Sequence, residues 1–322
     1  MHITHDWHSP AARRDSSVVS IGNFDGVHRG HRRLLARAAE LARRCNVPLV
    51  AVTFDPHPLV ILRPESAPPQ LTTLNQKLEH LAEHGVDLAV VVRATRQLLA
   101  LEPREFIREV VDRFHPRHMV EGESFAFGKG RQGNPGLLKT LGAEFGFEVC
   151  IIEPVRIILA GETVDVSSSV VRELIHVGRV REAAAGLDRP YAVRGRVAPG
   201  DHRGAALGFP TANIGDIDQL IPADGVYVGT LKRDGFDAPA GISIGTNPTF
   251  RGDHRKIEAH VLDFAGDLNG KSVELRFHDW LRPQRRFPSP DDLARQIADD
   301  IQAVRDASNP CPAGPFTGNA GR

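Results

Sequence analysis

The sequence predicts an α/β doubly wound domain followed by an antiparallel β-barrel or sandwich that a C-terminal helix closes. Three observations carry this. Up to about residue 186, short β-branched apolar runs alternate with amphipathic helical stretches. Beyond it, short strands with a two-residue period are punctuated by Gly, Asp and Pro. At 322 residues the chain is also long for a single core. The domains are placed at 17–186 and 187–306, with the Pro- and Gly-rich residues 307–322 expected as a disordered tail.

Taken in order, VVSIG (18–22), PLVAVTF (48–54), VDLAVVV (86–92), HMVEG (118–122) and FEVCIIEPV (147–155) are nearly continuous apolar runs. Such runs suit strands covered on both faces of a parallel sheet. Helical spacing fills the intervals at 31–44, 74–83, 103–113 and 135–145. In the second half, strands are read at 191–201, 225–235, 239–248, 256–264 and 271–281. The last helix, 289–307, has Ser289 as N-cap and Asp291 and Asp292 in its first turn, where the helix dipole favours them.

Composition narrows the function. Forty basic residues balance forty acidic ones, so no net field recruits nucleic acid or an anionic membrane. Cys45, Cys150 and Cys311 form no CxxC pair, which argues against a disulfide framework or a zinc site and fits a reducing cytosol. No apolar run approaches the roughly 18 residues of a membrane span. A cytoplasmic protein is expected, with small-molecule partners and at most weak self-association.

The chemistry concentrates in GNFDGVHRGH, residues 22–31, between the first strand and the first helix. Gly22 and Gly30 let backbone N–H groups approach a ligand, and the helix presents its positive end to an anion. His28 and His31 add donors at that end, as charge developing on a transferring phosphate requires. A β-α turn with two surface histidines is the bland alternative. A second cluster, VSSSVVREL (166–174), puts Ser167, Ser168 and Ser169 ahead of Arg172; alone it reads as helix capping. GKGRQG (128–133) fits G-x-G-x-x-G but follows neither the first strand nor a ribose-binding acid, and is discounted as a dinucleotide site. In GDHRGAALGFPTANI (200–214), Gly200, Gly204 and Gly208 suit a phosphate-accommodating loop. There Thr211 and Asn213 place two hard-oxygen donors on one strand face, as Mg²⁺ ligands would stand.

These strings carry a resemblance. The first two clusters resemble the HxGH and S-S-T-x-x-R elements of nucleotidyltransferases, with Ser169 where Thr is usual and Val170 where Arg is usual. GFPTAN, followed by PADGVYVG, SIGTNPTF, IEAHVLDFAGDLNG and LRPQRRFPSPDDLARQI, resembles riboflavin kinase. TFDPHP (53–58) and EGESFAFGKGRQG (121–133) resemble the FMN adenylyltransferase domain fused to that kinase in prokaryotes. Residues 17 to 305 are therefore similar to the prokaryotic bifunctional riboflavin kinase/FAD synthetase family. The resemblance implies an HxGH-type, Rossmann-like nucleotidyltransferase domain, then a β-barrel riboflavin kinase domain. It also implies ATP as co-substrate, FMN and FAD as products, and Mg²⁺.

By the same resemblance, Glu258 is the kinase base and Thr211 and Asn213 are the metal ligands. Gly200, Gly204, Gly208 and Pro210 contact ATP. Gly22, Asn23, Phe24, Asp25, Gly30, Ser167, Ser168, Ser169 and Arg172 hold nucleotide phosphates, with His28 and His31 catalytic. Phe54, Pro56, Pro58, Ser124, Phe125, Arg282 and Phe287 face flavin. Ser124 stands where Asp or Asn is usual, Ala205 where Arg is usual, and Asn269 where Tyr is usual. Three rival readings are a monofunctional riboflavin kinase with an impaired adenylyltransferase domain, a nucleotidyltransferase for another phosphate, and a non-catalytic flavin-binding regulator.

Overall fold

The computed structural model describes residues 1–199, 208–233, 235–246 and 255–308. The chain divides into two units, one comprising 1–172 and 185–188, the other 173–184 and residues from 189 onward.

The first unit is built on a six-stranded parallel sheet. Its strands are β1 (His2–Thr4), β2 (Ser17–Ile21), β3 (Leu49–Phe54), β4 (Leu88–Val92), β5 (Pro116–Gly122) and β6 (Glu148–Ile152). Their order is β1-β4-β3-β2-β5-β6. The apolar runs are continuous because both faces are covered. Val19, Ile21, Val50, Val52, Val90 and Val92 face a core with α5 (Pro103–Phe114) and α6 (Pro135–Phe145). Val18, Leu49, Ala51, Ala89 and Val91 face the opposite core with α1 (Arg29–Cys45) and α3 (Leu74–Glu83). Each fully buried aliphatic side chain contributes about 1.5–3 kcal/mol.

Local signals set the helix ends. Thr73 and Gln76 form a capping box on α3, and Asn134 caps α6. Helix α1 starts at Arg29 rather than His31, because the His28 imidazole itself accepts the His31 N–H as N-cap. The arm before Ser17, left outside the predicted domain, supplies β1, which pairs in parallel with β4. Short elements absent from the sequence reading complete the unit. They are α2 (Pro58–Leu62), α4 (Arg96–Leu99) and the hairpin of β7 (Arg156–Leu159) and β8 (Glu162–Asp165).

Helix α7 (Ser168–His176) runs from the first unit into the second, and α8 (Val180–Leu187) follows. The second unit holds a closed antiparallel barrel, which decides between barrel and sandwich. Its strands are β9 (Tyr191–Ala198), β10 (Ala212–Gly215), β11 (Gly225–Arg233), β12 (Phe236–Thr246), β13 (Arg255–Val261) and β14 (Ser272–Arg282). They close in the order β10-β13-β12-β11-β14-β9. Along β13, Ile257, Ala259 and Val261 are buried while Glu258 and His260 alternate to the other face. The last helix, α9, spans Pro290–Ser308, so Ala307 and Ser308 are helical rather than the start of a tail. Gly200, Gly204, Ala205 and residues 309–322, with Cys311, lie outside the described residues.

Candidate functional site

In the first unit, β2 lies between β3 and β5, at the point where strand order reverses. In open α/β sheets, ligands bind beyond the carboxyl ends of the strands at this position. The Gly22–His31 turn leaves β2 here. Gly26 has a φ of +79°, and Phe24 (47°) and Val27 (37°) also have positive φ despite being buried. Such backbone costs a non-glycine residue roughly 1–3 kcal/mol and persists where the surroundings over-determine it. Gly30 serves close approach: a Cβ there would lie 3.1 Å from two ring atoms of His28.

The two imidazoles stack, with centroids 3.7 Å apart and an interplanar angle of 23°, and the Phe24 ring meets His31 edge-on at 5.2 Å. Burial, reinforced by His28 and Lys77, holds the His31 imidazole well below its usual range, so it is neutral at pH 7. His31 Nδ1 is buried without a hydrogen-bond partner, as are Asn23 Oδ1 and Ser20 Oγ. Three such orphans within twelve residues concentrate unsatisfied polar atoms at this turn, where buried polar groups are ordinarily paired.

The second cluster packs onto this turn. The Ser168 hydroxyl donates to the Asp25 carbonyl at 2.9 Å, and Arg172 Nη2 pairs with the Asp25 carboxylate at 2.5 Å. Arg172 Nε also donates to the Pro69 carbonyl at 2.8 Å. Asp25 accepts further bonds from Leu71 N–H, Thr72 N–H and the Thr72 hydroxyl, each at 3.0–3.1 Å. It is thus the hub that aims Arg172. Ser167 caps α7 by accepting Val170 N–H at 3.2 Å, and Ser169 is exposed.

His57, Lys77 and Glu121 escaped the sequence reading. The Asn23 amide bonds His57 Nε2 at 2.9 Å, and burial followed by Arg172 lowers the His57 pKa. Lys77, buried beside Thr53 and the Phe54 carbonyl, is also lowered by desolvation, against Asp25 and Asp55. A charged residue on a helical pattern reads as solvent-facing, so nothing in the sequence singled it out.

Among the expected flavin residues, Phe54 and Phe125 are partly buried and pack, like Leu98 and Leu101, against the core that α5 and α6 cover. Phe125 stacks on Phe127 at 5.3 Å. Pro56 follows a cis peptide with Asp55, Pro58 opens α2, and Ser124 lies exposed in the turn after β5. A cavity of about 490 Å³ is lined by Trp7, His8, Arg93, Leu98 and Leu101 among others, and neither Phe54 nor Phe125 lines it. The histidine turn does not line it. Phe127 and Gly133 form a bridge that closes GKGRQG into a loop, and its glycines do not open α6.

In the second unit, Asn213 on β10 stands directly opposite Glu258 on β13, and Glu258 in turn faces Ser243 on β12. The expected metal ligand and base are therefore cross-strand neighbours on one face. Thr211 is exposed and precedes β10 rather than lying within it. His260 Nδ1 bonds the Pro210 carbonyl at 2.8 Å and fixes the Gly208–Thr211 segment to β13. Gln284 donates to Ser243 Oγ at 2.8 Å, bringing the 281–287 segment to the same face; both residues were missed in the sequence. Arg282 is engaged by Asp300 of α9 at 2.7–3.2 Å, and its guanidinium lies 5.8 Å from the Phe287 ring centre.

Comparison with known proteins follows this division. Residues 11–170 match the FAD synthetase family and residues 187–308 the riboflavin kinase family. The bifunctional riboflavin kinase/FMN adenylyltransferase of Escherichia coli K12 is 38% identical over 297 residues, 92% of this chain and 94% of that protein. The chain belongs to the bifunctional riboflavin kinase/FMN adenylyltransferase family. The Pseudomonas fluorescens member is 35% identical over 312 residues, 96% of this chain and 99% of its own. A crystal structure described as a macrolide-efflux protein from Streptococcus pneumoniae superposes with a TM-score of 0.83 at 29% identity, covering 94% of this chain and 98% of that one. Among the described residues of this family member, no helix is long and apolar enough to cross a membrane.

Proposed function

We propose that the chain phosphorylates riboflavin to FMN on the β10–β13 face and adenylylates FMN to FAD at the Gly22–His31 turn, using ATP for both. What carries the reading is that motifs far apart in sequence meet in each unit: Asn213 with Glu258, and Asp25 of the histidine turn with Arg172.

For the kinase step, Glu258 accepts the proton of the riboflavin 5′-hydroxyl as that oxygen attacks the γ-phosphorus and ADP leaves. The hard-oxygen donors Thr211 and Asn213 suit Mg²⁺ and would hold it beside the polyphosphate. The ion, when bound, neutralises charge on the transferring phosphoryl group. Phe287 and Arg282, braced by Asp300, cover the flavin. For the transferase step, an FMN phosphate oxygen attacks the ATP α-phosphorus and pyrophosphate departs. The nucleophile is already anionic, so no general base is needed. His28 and neutral His31 donate to the developing charge. Backbone N–H groups at the start of α7, the Ser169 hydroxyl and Arg172 hold the leaving pyrophosphate. Phe54 and Phe125 offer the flavin ring an apolar platform. The setting is the cytoplasm, with small-molecule partners and no requirement for nucleic acid or membrane.

The test is a chromatographic time course of riboflavin, FMN and FAD with ATP and Mg²⁺. FMN is expected to rise first and FAD to follow. Glu258→Gln should cut FMN formation about a hundredfold or more while supplied FMN still becomes FAD. His28→Ala should do the reverse. FMN accumulating in the parent protein without FAD would restore the monofunctional kinase reading, and no conversion at all would sink both activities.

A further inference from the structure

Strand β2 keeps its two neighbours for different lengths. On the β3 side the ladder runs to Ile21↔Val52, and Gly22 N–H then donates to the Val52 carbonyl at 3.0 Å. On the β5 side it stops at Val19↔Met119, although β5 continues against β6 as far as Gly122↔Ile152. The two central strands therefore part at their carboxyl ends, where the histidine turn begins. Parting leaves the Ile21 N–H without a strand partner, and a buried N–H cannot be left unpaired cheaply. The Glu121 side chain reaches back across the gap and accepts it through Oε1 at 2.8 Å.

This carboxyl is 1% exposed. Burial pushes its pKa well above the carboxylate range, opposed by the Ile21 N–H. At this height β2 offers Ser20 and Ile21, and β6 offers Ile151, none of them ionisable at neutral pH. Glu123 follows on its own loop, and Asp25, His28 and His31 lie in the turn beyond Ile21; none of these contributes to the shift. A neutral acid is compatible with a polyphosphate bound one residue further on, whereas an ionised one in so dry a place would repel it.

We propose that Glu121 is a positioning residue for FMN adenylylation: where β2 and β5 part, its side chain takes the place of a strand partner for Ile21, fixes the backbone at Ile21–Gly22 and closes the floor of the nucleotide crevice. The inference rests on the adenylyltransferase reading of this turn. An apolar residue at 121 satisfies the burial but not the N–H. Glutamine satisfies both and has no proton to lose.

The experiment compares the parent chain, Glu121→Gln and Glu121→Leu in FAD formation from FMN and ATP between about pH 6 and about pH 10. Riboflavin phosphorylation in the same samples reports that each chain is folded. The parent should lose kcat/KM for FAD formation about tenfold per pH unit above the Glu121 ionisation. Glu121→Gln should abolish that alkaline fall while staying within about threefold of the parent at neutral pH, and Glu121→Leu should lose about tenfold or more throughout. An alkaline fall unchanged in Glu121→Gln, a parent profile with no such fall, or Glu121→Leu matching the parent would each overturn the proposal. A purely structural role would lower activity without moving the pH profile. A parent that phosphorylates riboflavin yet makes no FAD at any pH would instead overturn the adenylyltransferase reading, and this inference with it.

Discussion

Asp25 gathers bonds from Leu71, Thr72 and Arg172 into one buried carboxylate, which orients the arginine and the turn. Breaking a buried ion pair by removing one partner costs about 3–5 kcal/mol. Asp25→Ala should therefore lower the first unit's thermal midpoint by several degrees and FAD formation at least tenfold. FMN formation from riboflavin, assayed below that midpoint, should be unaffected. The Gly22–His31 turn was legible because its residues are contiguous in sequence and their types suit a tight turn that opens a helix. Asp25 was singled out in the turn, but not its bonds to partners 46 and 147 positions along the chain, which local pattern does not carry. Lys77 and Glu121 were illegible for a related reason: burial of a charged residue is a property of tertiary packing.

At the level of elements, long segments with a clear period matched closely. Helices α3 and α6 begin and end where the sequence placed them, because Thr73, Asn134 and Gly146 punctuate them. The hairpin RIIL/ETVD and strand β10 are each four residues per strand, too short for alternation to register, and β1 was hidden in a polar arm. Two predictions belong here. Gly30→Ala puts a methyl 3.1 Å from the His28 ring, so it should disrupt the imidazole stack and reduce FAD formation about tenfold. Stability should fall by about 1 kcal/mol, read as a lower unfolding midpoint. Asp300→Ala releases Arg282 from α9; in FMN formation KM for riboflavin should rise more than kcat falls, because Glu258, Asn213 and Thr211, the proposed base and metal ligands, are untouched. Steady-state kinetics separates the two parameters.

For the molecule as a whole, buried and half-buried histidines, His278 among them, shape the response to acid. His31, His57 and His84 all have lowered pKa values, with burial the leading cause in each. The unfolded chain binds more protons than the folded one below the ordinary histidine value of 6.5. Stability is therefore fully present above that pH and lost as pH falls toward the folded-state values. Glu121 has the opposite sign: relative to an exposed carboxyl it favours the fold below pH 4.5 and opposes it as pH rises through its folded value. Thermal midpoints measured from about pH 5 to about pH 9 should fall on the acid side, less steeply in His57→Gln, and fall on the alkaline side less in Glu121→Gln than in the parent.

The three residues of β1 also bear on how the protein is handled. They occupy the outer edge of β4, whose five residues are all buried, and so deny that edge to other chains. A bulky fusion joined directly at Met1, or trimming of the first four residues by an aminopeptidase, would expose an adhesive apolar strand. Poor yield and turbidity of such preparations would then report a lost edge guard, not a faulty enzyme.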